Sequence, residues 1–371
     1  TVLEKRSRPH ILGGTLMKKT ITLSLGALAL TALAAPLSAD TFTLRVGSGH
    51  PNGPAVYVTD TAKFFVPEVV RRVAAETDHE IEFVEGYGGA IAGVAETLEA
   101  VQNGILDIGA FCICFEPAKL FLHNFPYYAP FGSQDSAQAM TAVRSVYNDV
   151  PWLTEQFTQE YKQELLGLHG WDNYHLGTTD PWDTVDDLKG VKVGGAGPNL
   201  PWLEFAGAIP VQSTLPDGYL SLQTGVYNGW LMFPSAYLGF KFHEPAPNYT
   251  KVGFGAMPVN ALTMNSRTMA SLPEEVQAII REVGQAYEDQ SGASLNAAQK
   301  RGLDGLEAAG ANVKSLPADA RAGWAESLVG FPQQQATEAD SRGMPGSEVL
   351  KAYLAAAEAA GVEWPVAYAV E

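Results

Sequence analysis

Residues 81–114 read IEFVEGYGGAIAGVAETLEAVQNGILDIGAFCIC. The β-rich run Ile81–Val84 predicts a strand, and the glycine-rich turn Gly86–Gly93 leads into a helix over Val94–Gln102. Asn103–Gly104 closes that helix, because glycine accepts the left-handed backbone a helix C-terminus requires. The apolar run Ile105–Cys114 then predicts a buried third strand. A strand, a helix and a second strand of these lengths argue for a right-handed crossover in a mainly parallel sheet covered on both faces.

The same alternation extends both ways. Upstream, Phe42–Gly47 reads as a strand, Ser48–Pro54 as a breaker-rich turn and Tyr57–Glu76 as a helix with one apolar face. Downstream, the pattern restarts at Leu165–His169 and passes the aromatic, turn-rich segment Gly170–Trp182. It resumes with Val191–Val193, a helix over Leu200–Ala206 and a strand from Val211. This restart predicts a second lobe, which suits 371 residues better than one core of ordinary domain size. Leu272–Ala309 is strongly helical, with Pro273 at its start, and is long enough to brace both lobes. Pro317–Glu371 is helical in pattern, interrupted at Pro332 and Ser341–Gly346. The fold class is α/β.

Met17 opens a short basic region (Lys18, Lys19), followed by the apolar run Ile21–Ala34 and small residues ending at Ala39. That order is the layout of a secretory signal peptide, with cleavage expected after Ala39, and the run is short for a membrane span. Residues 1–16 are read as upstream sequence. The whole chain carries a net charge of −17, and residues from Asp40 onward hold 19 basic against 40 acidic side chains, a net −21. Such a surface repels phosphate backbones and anionic lipid heads, which argues against nucleic acid and direct membrane insertion after cleavage.

Two further stretches carry a resemblance: Asp187-Leu188-Lys189-Gly190-Val191-Lys192-Val193, and, after a helix, Leu222-Gln223-Thr224-Gly225-Val226-Tyr227-Asn228-Gly229. With Lys241-Phe242-His243-Glu244, Glu99–Gly104 before Asp107-Ile108-Gly109, and Gly170-Trp171-Asp172-Asn173, the sequence resembles the substrate-binding proteins of TRAP transporters, the DctP family. The likeness runs over roughly Leu44 to Arg281. It implies a two-lobed periplasmic binding protein of type II-like architecture with discontinuous domains. Lobe I is expected from 40–168 and about 256–290; lobe II and the C-terminal helices from 169–255 and about 291–371. It also implies a small organic solute as ligand, small and large TRAP membrane subunits as partners, the periplasm as location, and no enzymatic activity.

Relatives often hold a carboxylate with an arginine directly after the D-L-K-G strand, and guanidinium geometry suits that task. Here that position is Gly194, and the position of a second common arginine, before a proline, is Asp180. Where relatives read Q-E-N, this chain reads Trp230-Leu231-Met232. Loss of two cationic anchors, each making bonds of roughly 1.5–3 kcal/mol, disfavours a dicarboxylate. The candidate ligand contacts are Tyr87, Cys112, Glu116, Trp171, Asn173, Asp180, Trp202, Trp230 and Met232. Aromatic faces with acids nearby (Glu116, Asp172, Asp180) point to a small amine or zwitterion, since rings attract cations. An organic or aromatic carboxylate held by backbone amides is the alternative. Against these readings, tryptophans also fill cores and interfaces, Asp180 also reads as a solvated loop acid, and Asp172 as an acid bonding its own turn.

Cys112 and Cys114 fall two apart on the expected strand, so their side chains share a face and a mutual disulfide is disfavoured. Two small buried residues are expected, with Cys112 at the strand end where the resemblance places a ligand contact. C-x-C lacks a second ligand pair, and His123, His169 and His175 are scattered, so no metal site is expected. No cofactor is expected either: neither Gly86-Tyr87-Gly88-Gly89 nor Gly194-Gly195-Ala196-Gly197 is G-x-G-x-x-G, and no P-loop, G-x-S-x-G or H-E-x-x-H occurs. A periplasmic enzyme using Cys112 is the rival from another class, and a receptor for a different transporter or a sensor kinase is a third reading.

Overall fold

A computed structural model describes residues 40–371. The expected signal peptide and its cleavage point lie outside the described residues. Eleven strands form two sheets. The first holds β1 (Thr41–Gly47), β2 (Glu80–Gly86), β3 (Ile108–Cys112), β4 (Gln163–Trp171) and β10 (Met257–Asn265), in the order β2-β1-β3-β10-β4. The second holds β5 (His175–Thr178), β6 (Lys192–Gly195), β7 (Ile209–Gln212), β8 (Gly229–Met232), β9 (Asn248–Lys251) and β11 (Asn312–Ser315), in the order β11-β9-β5-β8-β6-β7.

Each sheet is mainly parallel and carries one reversed strand, β10 in the first and β5 in the second. The reversal follows from how the chain crosses. β4 runs toward the space between the sheets and the chain continues at once into β5, which must therefore leave that space. The other strands of the second sheet end there. The return crossing, between Lys251 and Met257, produces β10 by the same logic. Each sheet is thus assembled from separated pieces of chain, as discontinuous domains require.

β10 lies inside its sheet, between β3 and β4, with all nine residues buried, a continuous run rather than an alternation, because both faces are covered. The long helix Glu274–Ala308 begins just after Pro273 and bridges the two sheets. Along its length the Tyr287 hydroxyl donates to Tyr57 O (3.0 Å), Glu288 accepts from Leu168 N (2.7 Å) and pairs with Arg144, and Gln299 accepts from Asn173 N (3.1 Å). Further on, a Cβ at Gly302 would stand 2.5 Å from the Pro234 carbonyl carbon, so only glycine lets the helix reach the segment beside the second sheet. The tail forms helices Ala318–Ser327, Phe331–Ser341 and Gly346–Ala359. Pro332 starts a helix there rather than interrupting one, since the first turn needs no amide donor from it.

Two expectations for the opening stretch are corrected. The helix begins at Thr97, and the third strand stops at Cys112 because Ile113–Phe115 turn tightly. That turn takes Cys114 off the strand, its Cα 5.1 Å from that of Cys112, and the two cysteines form a disulfide. The argument from a shared strand face fails because Cys114 is not on the strand.

Candidate functional site

Because the parallel strands of both sheets end in the space between them, that space collects the residues that follow the strand ends, the usual location for ligands in open α/β sheets. A narrow cavity of about 20 Å³ lies there. The first sheet contributes His50 from beyond β1, Cys114 and Phe115 from beyond β3, and Trp171 from the end of β4. The second contributes Ala196 and Asn199 from beyond β6, Trp230–Phe233 from the end of β8, Tyr174 from just before β5, and Leu215. None of these side chains is an acid, a lysine or an arginine.

The walls are braced ring against ring. Trp171 stacks on Phe233 with centroids 4.6 Å apart and planes at 20°, and its indole N–H donates to Cys112 Sγ (3.3 Å). Tyr174 stands edge-on to Phe233 at 5.1 Å, and its hydroxyl bonds that of Tyr127 at 2.9 Å. Trp230 packs against Tyr227 and Phe242, with centroids at 5.2 and 5.4 Å. Such edge and offset arrangements are the favoured ones for aromatic pairs.

The Gly194 position explains the missing arginine. Gly194 and Trp230 are register partners on the parallel strands β6 and β8. A Cβ on Gly194 would sit 2.6 Å from the Trp230 ring and 3.1 Å from Tyr227. The indole therefore fills the space that a side chain at Gly194 would need. The two departures from the resemblance form one packing unit.

Of the residues expected to touch ligand, Trp171, Trp230 and Met232 line the cavity. Cys112 lies directly behind the wall, tied to Cys114 and to the Trp171 indole. Glu116 follows Phe115 but is outside the lining; burial pushes its carboxyl up to about 7, and its Oε2 accepts from Lys119 at 3.1 Å. Asp172 is buried, takes the Ser235 hydroxyl (2.5 Å) and amide (3.2 Å), and is pushed up to about 7 by desolvation. Tyr87 is half-buried beyond β2 and outside the lining.

Asn173, expected to orient ligand, instead ties the two crossing segments together. Its Oδ1 accepts from Gly255 N (2.9 Å) and its amide donates to Gln134 Oε1 (3.1 Å). Trp202 is a core residue: its indole N–H donates to Tyr127 O (2.9 Å) and its ring stacks on Phe254 at 4.9 Å. Asp180 is exposed at the far end of the second sheet, beside Asn228, because β5 is reversed and Asp180 follows its outward end. The acids grouped as counter-charges are thus dispersed, and none faces the cavity.

Sequence reasoning missed His50, Phe115, Tyr174, Asn199 and Phe233. His50 carried a usable signal, since it sits in the turn after β1 at the ligand end of a parallel strand. Among the described residues no group of three His, Cys, Asp or Glu is placed to hold a metal ion, and no helix is long and apolar enough to cross a membrane.

Comparison with known proteins agrees with this architecture. A solute-binding protein of Sulfitobacter sp. (strain NAS-14.1) is 29% identical over 135 residues, which span 36% of this chain and 41% of that protein. A TRAP solute-binding protein from Rhodoferax ferrireducens, solved with copurified benzoate, superposes with a TM-score of 0.77 at 18% identity, covering 86% of this chain and 98% of that one. A marine metagenome TRAP solute-binding protein specific for aromatic acid ligands, solved with 3-hydroxybenzoate, gives 0.77 at 21% identity, covering 86% and 99%. The family model for bacterial extracellular solute-binding proteins of family 7 matches residues 59–365. The chain therefore belongs to the bacterial extracellular solute-binding proteins of family 7, the DctP family, whose members bind solutes for transport.

Proposed function

We propose that this chain is the periplasmic receptor of a TRAP transporter, delivering its solute to small and large integral membrane subunits, and that the solute is a small, uncharged aromatic compound. The observation that carries the ligand reading is the cavity wall: aromatic and aliphatic side chains from both sheets, with no formal charge among them. At about 20 Å³ the cavity is far below the roughly 300–1,000 Å³ typical of ligand sites, so even a solute of one ring needs the lobes to part before it enters. A charged solute buried there would lose its hydration without a partner. An amine would meet ring faces but no carboxylate in the lining.

Capture proceeds by closure of the two lobes about a hinge at the crossing segments near Asn173 and Gly255, a reading supported by the bond between them. A second reading, an aromatic carboxylate, is supported by the benzoate and 3-hydroxybenzoate complexes of two neighbours. The two readings separate in a thermal-shift and calorimetric panel of benzamide, benzoate, malate, benzylamine and choline, because a ligand raises the melting temperature in step with its affinity. The proposal expects benzamide to bind tightest and to be released unchanged. Tightest binding of benzoate, malate or an amine, or turnover of the bound compound, would reject it.

A further inference from the structure

His50 is fully buried in the cavity wall, three residues past the end of β1. Its ring stands edge-on to Trp171 at 5.6 Å and lies 5.5 Å from Phe115, which fixes its orientation. Nδ1 is 2.8 Å from the Tyr57 hydroxyl, which is 3.1 Å from Ser48 Oγ, and Ser48 Oγ in turn accepts the His50 amide at 3.2 Å. The opposite ring atom, Nε2, is buried with no protein partner.

Three other polar atoms of the wall are engaged. Tyr174 Oη bonds Tyr127, the Trp171 indole bonds Cys112 Sγ, and Asn199 Oδ1 accepts from Ala196 N at 3.1 Å. Among the buried side-chain polar atoms without a partner in the described residues, His50 Nε2 is the one that belongs to this wall. A buried group of this kind costs free energy unless something satisfies it.

Direction follows from the relay. An imidazole nitrogen is a stronger base than a hydroxyl oxygen, and the His50 contact is the shorter of the two that Tyr57 makes. Tyr57 therefore donates to Nδ1 and Ser48 donates to Tyr57. In a neutral imidazole the remaining proton then sits on Nε2, and the three bonds point the same way, each polarising the next. Burial keeps the ring neutral, with its pKa held down at about 4.

We propose that His50 Nε2–H is the donor that reads one acceptor oxygen on the solute, a neutral carbonyl carried by the aromatic ring. The proposal rests on the uncharged aromatic reading of the cavity and adds to it the chemical group recognised and the residue that recognises it. A carboxylate would gain the same bond but keep a charge that one neutral donor does not offset. Tyr57 is a positioning residue, setting which nitrogen of His50 carries the proton.

The test compares acetophenone with ethylbenzene, which differ by the carbonyl oxygen, using calorimetry on the unmodified protein, His50→Phe and Tyr57→Phe. The unmodified protein is expected to prefer acetophenone by about tenfold or more. His50→Phe should abolish that preference, read as the ratio of the two affinities, and Tyr57→Phe should reduce it by roughly two- to fivefold. Tyr57→Phe keeps the test open should His50→Phe fold poorly. An undiminished preference in His50→Phe, or in Tyr57→Phe where only that variant folds, overturns the proposal and leaves the receptor reading standing. Failure of both compounds to bind the unmodified protein, with benzoate or benzylamine binding, overturns the proposal together with the reading beneath it.

Discussion

Restoring the arginine at Gly194 should damage the protein unless Trp230 is removed with it. A Cβ alone at Gly194 would lie 2.6 and 2.9 Å from two carbons of the Trp230 ring, distances that side-chain carbons do not tolerate. Trp230 is fully buried, so its ring cannot move aside into solvent. Gly194→Arg should therefore cost about 1–3 kcal/mol or more through overpacking. Trp230→Gln removes a large buried ring and should cost about 3–5 kcal/mol, in the range of large-to-small core changes. In the double variant the guanidinium stem enters the space the indole leaves. The two costs should then fall short of additivity by about 1–3 kcal/mol, the size expected for residues in direct contact. Urea unfolding followed by circular dichroism measures all four corners of the cycle. The double variant should also gain affinity for benzoate, since a charge-assisted bond contributes roughly 1.5–3 kcal/mol. Costs that add to within about 0.5 kcal/mol would refute the claim that Trp230 occupies the side-chain space of position 194.

Three further outcomes follow from buried groups. Asp172 and Glu116 both have carboxyls pushed up to about 7 by burial, so these two groups bind more protons in the folded protein than in the unfolded chain between about pH 4 and 7, while the buried His50, His123 and His175, with pKa values held down, act the other way. The contribution of Asp172 to stability should fall as pH rises through that window, so Asp172→Asn should gain on the unmodified protein between about pH 4.5 and 7.5 by an amount on the order of a few kcal/mol, read from the difference in their unfolding midpoints. Replacing Cys112 and Cys114 together with alanine should cost only about 1–2 kcal/mol in urea unfolding, because a bond between residues two apart constrains little of the unfolded chain. Trp202→Ala should lower stability by about 3–5 kcal/mol while leaving the order of ligand preference unchanged in the calorimetric panel, since Trp202 packs against Phe254 and Tyr127 outside the cavity wall.

The strand–helix alternation from Ile81 to Cys114 was enough to give the fold class, because parallel units write both their period and their turns locally. The second lobe was legible for the same reason. β5 was hidden inside Gly170–Trp182, four residues too short to show a period, and with it went the knowledge that the chain reverses there. That single reversal decides the fate of Asp180, which the sequence placed beside the ligand and the fold places at the opposite end of the sheet. Trp171, Trp230 and Met232 line the cavity because they stand at strand ends, carried there by recognisable motifs. Trp202 and Asn173 have the same chemistry as ligand contacts, and what separates them is whose hydrogen bonds they complete, a tertiary property. The disulfide was missed because the strand was read two residues too long.

Trp230 stands against the position where relatives carry a charged anchor, and the proposed solute must match an uncharged aromatic wall that includes the His50 donor. Mass spectrometry after denaturation identifies the small molecule that copurifies with the protein from its native host. A single-ring aromatic compound bearing a neutral carbonyl, present in stoichiometric amount, is the expected result. A dicarboxylate, a sugar acid or an amine in that position would contradict it.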